Sequence, residues 1–419
     1  MTITFLSRSA GVLLFVLLVG CHGKTSDKPQ TNTTKATSKP AASPDKEAAT
    51  PAALYETYRG RFAAAPDSFT LHLTIVPVSE DIEAGSLSAH YYGADGIVHD
   101  LSERSNAAPD SLLLGDSGPA PASGQPEPDY TWHLHREPNG NWAGTRAGQP
   151  LQLRRVSTAL EGLGFAAVLH TDKIAAFPAE PNSPYAELNL QGLVPTGPAA
   201  TSEANQLLAA NILREERGDT LAGLAAPASL DALWSTKRQA YTRTYRADAA
   251  ELRPKAGSTD EEIPRYALQY QERITAHVMV HQPPLLSVAF PVYEFSGGNR
   301  GHEETRIRSF DLRTGRALYF DDIFLPGART QLVAVLERHL RQARNLNATE
   351  PLEGGLMNGK MPVSTNVCLT PGGVLFSYSP AAIAPEMEGA VDVFVPLAEL
   401  RPWLREGLPL PVGAGVAVR

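Results

Sequence analysis

The first clear signal along the chain is a period of two. Residues 70–75 read TLHLTI, polar and apolar in alternation, as a strand with one buried face requires. Runs of similar character recur at 87–92, 111–114, 131–135, 142–146 and 151–154. GADG at 93–96 and PNGN at 138–141 supply turns between them, and the Pro- and Gly-rich stretch 118–129 reads as a loop. Residues 54–156 are therefore expected to form a small antiparallel β domain, as a sheet or a small barrel. Residues 157–201 read as a connecting segment, with strand-like runs at 165–170 and 186–190 and a proline break at 195–198. The period then lengthens. From 202 to about 217, Leu207, Leu208 and Ile212 give a helix one apolar face, and Gly218 is its expected stop. A second helix is predicted over 230–248.

The last third alternates strands with helices. A strand is predicted over 285–295, followed by a glycine-rich turn at 297–301. Residues 306–312 and 317–320 flank RTGR as a hairpin, and 363–369 and 374–378 flank TPGG as another. Between them a helix over 328–344 aligns Leu332, Leu336 and Leu340 on one stripe. A strand at 391–395 and a short helix at 396–404 close the pattern. The fold class expected is α+β: the small antiparallel β domain, then a C-terminal α+β domain over 202–405 with helices packed on an antiparallel sheet, and a tail at 406–419.

The start of the chain follows a different rule. Arg8 is the only charged side chain among the first twenty, an apolar run spans 12–19, and LVGC follows at 18–21. This order is that of a signal peptide, with an apolar run too short to span about 30 Å of hydrocarbon. The ending resembles the bacterial lipobox, which implies cleavage after residue 20 and lipidation of Cys21. Residues 21–53, rich in Lys, Thr, Ser, Pro and Ala, read as a disordered tether. The expected location is the cell envelope, lipid-anchored to a membrane. His22, in place of an aspartate after the cysteine, favours the outer membrane if the organism has one.

Composition narrows the partners. The 419-residue chain has a net charge of −8, which argues against nucleic acid. Of its two cysteines, lipidation would consume Cys21, leaving Cys368 without a disulfide partner and read as a small core residue.

A series of motifs suggests a family. YEFSGGNRG (293–301), SFDLRTG (309–315), DDIF (321–324), LTPGGVLFSY (369–378), IAP (383–385), Gly389 and VFVP (393–396) follow one another in order. The series, over residues 285–404, resembles the family called domain of unknown function 3298. Its best-known relative is the extracellular lysozyme-sensing part of the anti-sigma factor RsiV. The resemblance implies an α+β fold and an envelope setting. The chain departs from the family pattern where Asn299 and Arg300 fill the glycine turn, with the histidine displaced to His302. It also lacks the tyrosines usually flanking Ile383-Ala384-Pro385.

Candidate chemistry is sparse. GGLMNGK at 354–360 matches a phosphate loop up to its lysine, but Met361 stands where a hydroxyl should bind magnesium. His133 and His135 share a strand face, with His72 on a possible neighbour. His277 and His281, in a strand-like stretch, would share another face at a spacing too wide for a metal pair. Glu303–Glu304, Asp321–Asp322, Glu386 and Glu388 are acidic pairs of the kind glycosidases use, with turns and solvated faces as the plainer reading. No catalytic residue, metal or cofactor is assigned. The turn containing Gly297, Gly298, Asn299, Arg300 and His302 is the expected ligand-binding surface, where converging amides and two basic side chains suit an anion. The reading is a non-enzymatic binding module for peptidoglycan or a wall-acting protein such as lysozyme. The alternative is an enzyme, or enzyme accessory, acting on wall polysaccharide.

Overall fold

The computed structural model describes residues 53–62, 68–76, 86–104, 110–116, 130–156, 162–218, 226–253, 265–298, 300–344, 346, 361–386 and 389–411. The expected signal segment, Cys21, the tether up to residue 52, the loop 118–129, Asn299, residues 354–360, Glu388 and the end of the tail lie outside the described residues.

The expected β domain is a closed barrel. Its strands are β1 (Leu54–Arg61), β2 (Ser68–Val76), β3 (Ser86–Tyr92), β4 (Val98–Glu103), β5 (Ser111–Asp116), β6 (Trp132–Arg136), β7 (Trp142–Arg146) and β8 (Gln149–Arg155). Each pairs with the next, and β8 returns to β1 through Tyr58–Arg155 and Gly60–Leu153. An eight-stranded barrel is just wide enough for side chains to fill it. Here Tyr58, Leu71, Leu114, Trp132, Trp142 and Leu153 do so, all fully buried. Gly60 is required by the crowding, since a Cβ there would meet the Phe69 ring at 2.4 Å. Two carboxylates are held inside by donors. Glu56 accepts hydrogen bonds from the Tyr58 hydroxyl (2.5 Å) and Arg136 (3.1 Å), and pairs with Arg155 (2.8 Å). Asp116 accepts from Tyr91 and Trp132, both at 3.1 Å, and from Arg146 at 2.8 Å.

Residues 157–201, expected to be a connection, contribute two of the longest strands of a second sheet. These are β9 (Gly164–Ala175) and β10 (Tyr185–Thr196). The sheet continues with β11 (Tyr270–Ile274), β12 (His277–Gln282), β13 (Leu285–Ser296), β14 (His302–Asp311) and β15 (Arg316–Leu318). Its order is β15-β14-β13-β11-β10-β9, with β12 pairing β13 beyond the end of β11. The pairing is mixed rather than purely antiparallel, because β10 and β11 run parallel. A parallel neighbour needs a crossover, and α1 (Glu203–Arg217) and α2 (Leu230–Leu252) occupy it.

The Ser202 side chain caps α1 and Gly218, at φ 83°, ends it. The buried face differs from the apolar one expected. Leu208 and Ile212 are buried, but Leu207 is 41% exposed, and Asn211, Glu215 and Glu216 are buried instead. These polar groups have partners that sequence spacing does not show. Asn211 donates to the Gly315 carbonyl (2.8 Å), Glu215 accepts from Arg308 (3.0 Å), and Glu216 accepts from the Leu193 amide (3.0 Å). α2 lays Leu233, Trp234, Tyr245 and Ala249 on Ala186, Leu188 and Leu190 of the sheet.

The C-terminal part comprises α3 (Phe320–Ile323), α4 (Ala328–Ala343), a three-stranded sheet of β16 (Val367–Leu369), β17 (Gly373–Tyr378) and β18 (Val391–Pro396), and α5 (Leu397–Leu400). Leu332, Leu336 and Leu340 of α4 share a core with Val374, Phe376, Val393 and Val395. Among the described residues no helix is long and apolar enough to cross a membrane.

The barrel meets the C-terminal part directly. Gly96, in the β3–β4 turn, abuts Gly372: a Cβ on Gly372 would fall 1.6 Å from the Asp95 carbonyl oxygen. The Tyr92 hydroxyl donates to the His281 carbonyl (3.2 Å).

Candidate functional site

The packing of α2 on Leu188 and Leu190 leaves the alternate side chains of the central strands on the opposite face. Strand register sets what stands there. Glu187 is opposite Gln271, and Gln271 is opposite Phe295, so the three form one row. Arg273 is opposite Tyr293 in the next row, and Tyr185 lies two residues before Glu187. With Asn182, Pro184 and Gln269, all of these except Arg273 line a cleft of about 460 Å³. That is the size of a small-molecule site. Tyr185 is 43% exposed, a large aromatic surface left to solvent. Each of two rings carries a cation over its face. Lys173 lies 5.2 Å from the Tyr185 ring centre and Arg273 5.3 Å from that of Tyr293. Tyr270 also lines the cleft, but its hydroxyl turns away to Asp248 of α2 (3.3 Å). Burial, then the Asp248 carboxylate, raise that phenol above its ordinary range.

The glycine turn forms one end of this face. Gly297 (φ 77°) and Gly298 (φ 102°) adopt left-handed backbone, and a Cβ on Gly297 would strike the Ala267 carbonyl oxygen at 2.7 Å. Gly301 packs on the Tyr293 ring. Arg300 pairs with Glu386 (3.7 Å), and His302 is an exposed residue opposite Glu294. The turn thus holds an end of the aromatic row in place.

The acidic candidates stand apart. Asp321 pairs with Arg329 (3.7 Å), Glu386 with Arg300, and Glu303 lies opposite Tyr293 on β14. His133 and His135 are exposed on β6. His277 and His281 do not share a face. A bulge between Val278 and Val280 shifts the register, so His277 is opposite Ala289 while His281 is opposite Leu286, and those two β13 positions point to opposite sides. Among the described residues no three His, Cys, Asp or Glu side chains are placed to hold a metal. Cys368 is fully buried on β16, and desolvation pushes its thiol up to about 12.

The aromatic cleft draws on segments far apart in sequence, and none of Gly297, Gly298, Arg300 and His302 is among its lining residues. A local hint was Tyr293 and Phe295 at alternate positions of a strand entering a glycine turn.

No curated protein matches the chain. Among solved structures, it is similar to a member of the DUF3298 family from Bacteroides fragilis. The identity is 21% and the TM-score 0.50, over 58% of this chain and 94% of that one, a likeness of fold. It is also similar to a DUF3298 family protein from Pseudomonas aeruginosa, with 18% identity and a TM-score of 0.43, over 59% of this chain and 97% of that one. The family model described as "Protein of unknown function (DUF3298)" matches residues 321–398, from α3 to α5. The YEFSGGNRG and SFDLRTG motifs lie before the matched range. Residues 321–398 are a C-terminal DUF3298 domain.

Proposed function

We propose that the protein is a non-enzymatic envelope lipoprotein whose open sheet face binds cell-wall glycan. The observation that supports this reading is the set of Tyr185, Tyr293 and Phe295 side chains lining one cleft beside Glu187, Gln269 and Gln271. Pyranose rings offer C–H faces that pack on aromatic rings, and hydroxyls that bond amides and carboxylates. Gly297, Gly298, Asn299 and Arg300 would border the binding surface, with Arg300 already paired to Glu386, whereas His302, opposite Glu294, belongs to the other face of the sheet. Asp321 and Glu386 pair with different arginines and do not together supply the facing carboxyls that hydrolysis needs. Lipid on Cys21 would keep the cleft near the wall, and Cys21→Ser should abolish incorporation of labelled fatty acid.

Co-sedimentation with purified peptidoglycan, alongside a lysozyme pull-down, tests the reading. Retention on peptidoglycan that falls in the Tyr185→Ala/Tyr293→Ala double variant supports it. Retention on lysozyme alone would replace the glycan by a wall-acting protein as partner. Retention on neither overturns both.

A further inference from the structure

Among the described residues β12 is hydrogen-bonded on one side only, to β13, and its other edge meets the outer surface of the barrel at β2 and β3. Four histidines gather along this seam. His72 and His90 are paired in register on β2 and β3. The bulge in β12 sends His277 and His281 to opposite faces of the strand, so the two reach the barrel from either side. The rings of His90 and His277 are 5.9 Å apart. His72 lies between Tyr55 and Tyr92, at 6.2 and 5.8 Å, and His281 sits edge-on to Phe165 at 5.5 Å.

The hydrogen bonding is incomplete. His72 Nδ1 meets the Tyr55 hydroxyl at 2.9 Å, and His90 meets Asp100 at 2.6 Å and Ser88 at 3.2 Å. His72 Nε2, His277 Nδ1 and His281 Nε2 are buried with no partner. His72 and His281 are 2% and 8% exposed. A buried nitrogen without a partner is costly even when neutral, and more so when charged. Unpaired imidazole nitrogens suggest metal, but no metal-holding group forms among the described residues.

The surrounding charges do not favour protonation of this cluster. The charges that act on His72 are His281 and His90. His277 faces His90 and Arg273, which oppose its protonation, and Asp100 on β4, which favours it but is bonded to His90. Asp100 also feels His99, stacked on Tyr91, while Asp392 of β18 lies within its field. Burial is the largest cause in every case. It lowers His277 to about 3, His281 to about 4, and His72 well below the ordinary histidine range.

We propose that the seam is an acid-operated latch: neutral histidines hold the barrel against β12, and their protonation parts barrel from sheet while each keeps its own fold. The buried rings of His72, His277 and His281 stay neutral in the closed seam and charge once wet. The closed form therefore binds fewer protons, and stability of the seam is full above the ordinary histidine value and falls as pH drops below it. The latch does not depend on the glycan reading.

Hydroxyl-radical footprinting of the full chain across pH 7 to 4 tests it. Labelling of Tyr92 and Phe165, both buried at the seam, should rise about tenfold per pH unit for each histidine that must charge, below about pH 6.5. Trp132 and Trp142, inside the barrel, should stay protected over the same range. His72→Gln and His281→Gln should each reduce the slope by about one proton. Simultaneous labelling of the barrel tryptophans, or seam labelling that ignores pH, overturns the latch. Should a variant fail to fold, NMR titration of the wild-type rings decides the matter. Rings that stay neutral until the seam opens support the latch, and rings that titrate near 6.5 with the seam still closed sink it.

Discussion

Gly301 lies so close to the ring of Tyr293 that a Cβ on the glycine would meet Cε2 at 2.4 Å. The angle of that ring is therefore set by a backbone two strands' ends away from its own Cα, on the far side of the turn. The first prediction follows from this contact. Gly301→Ala should swing the ring off the cleft and weaken binding of soluble wall fragments by about threefold to tenfold, the worth of one aromatic contact. Tyr293→Ala should do the same. Calorimetric titration reads both. A Gly301→Ala protein that binds as tightly as the parent would remove Tyr293 from the binding surface.

Glu216 carries a second prediction. One of its oxygens accepts the Leu193 amide, and the other has no partner. Burial pushes the carboxyl up to about 8. Folded protein thus keeps a proton that unfolded chain releases near the ordinary glutamate value. Between those two values stability falls as pH rises, by up to about 1.4 kcal/mol per unit. Glu216→Gln should flatten that slope, making the variant the more stable form at pH 8 in urea unfolding. An unchanged slope would mean the carboxyl is ionised in the fold.

Within the barrel, removing Glu56 leaves Tyr58 and two arginines without their shared acceptor. Arg155 is half exposed and can reach water, so the loss is smaller than for a fully buried pair. Glu56→Ala should cost about 2–3 kcal/mol of stability. Glu56→Gln, which keeps an acceptor for the Tyr58 hydroxyl, should cost less. Chemical denaturation followed by tryptophan fluorescence suits the test, since Trp132 and Trp142 report from the barrel interior.

Gly372 carries the fourth prediction, because its Cα touches the barrel backbone. Gly372→Ala has no rotamer with which to escape the Asp95 carbonyl and should destabilise by about 3 kcal/mol, at the upper end of overpacking costs. Gly389→Ala has open space around the added methyl. Its positive φ remains a strain, so a smaller loss of about 1 kcal/mol is expected. Thermal denaturation of the pair separates contact from strain.

How much of this was legible depends on how far a signal travels. α1 was readable at both ends, because Ser202 and Gly218 act within a turn of the residues they cap. Its buried face was not, because Asn211, Glu215 and Glu216 are satisfied by Gly315, Arg308 and Leu193, which are distant in sequence. β1 gave no alternation to read, since its inward positions include Glu56 and Gly60. Barrel closure rests on Tyr58 meeting Arg155, a pairing that no local pattern announces. The cleft failed for the same reason: Tyr185, Gln271 and Phe295 become neighbours only through register. Only the glycine turn beside the cleft was legible, because its composition is local.

The closed barrel has a consequence for how this molecule tolerates neighbours. The lumen is packed with Trp132 and Trp142, both fully buried, so neighbours meet only the barrel's outside. A sheet wrapped onto itself offers no unpaired edge among its eight strands for a foreign chain to zip onto. In crowded surroundings that end of the protein is insulated against accidental strand exchange. Among the described residues, copies that stick together through their backbones would do so through the borders of β9, β12, β15 or the small β16–β18 sheet. Protection against aggregation is thus distributed unevenly over the chain, full at the barrel and thinner where the sheets still have borders.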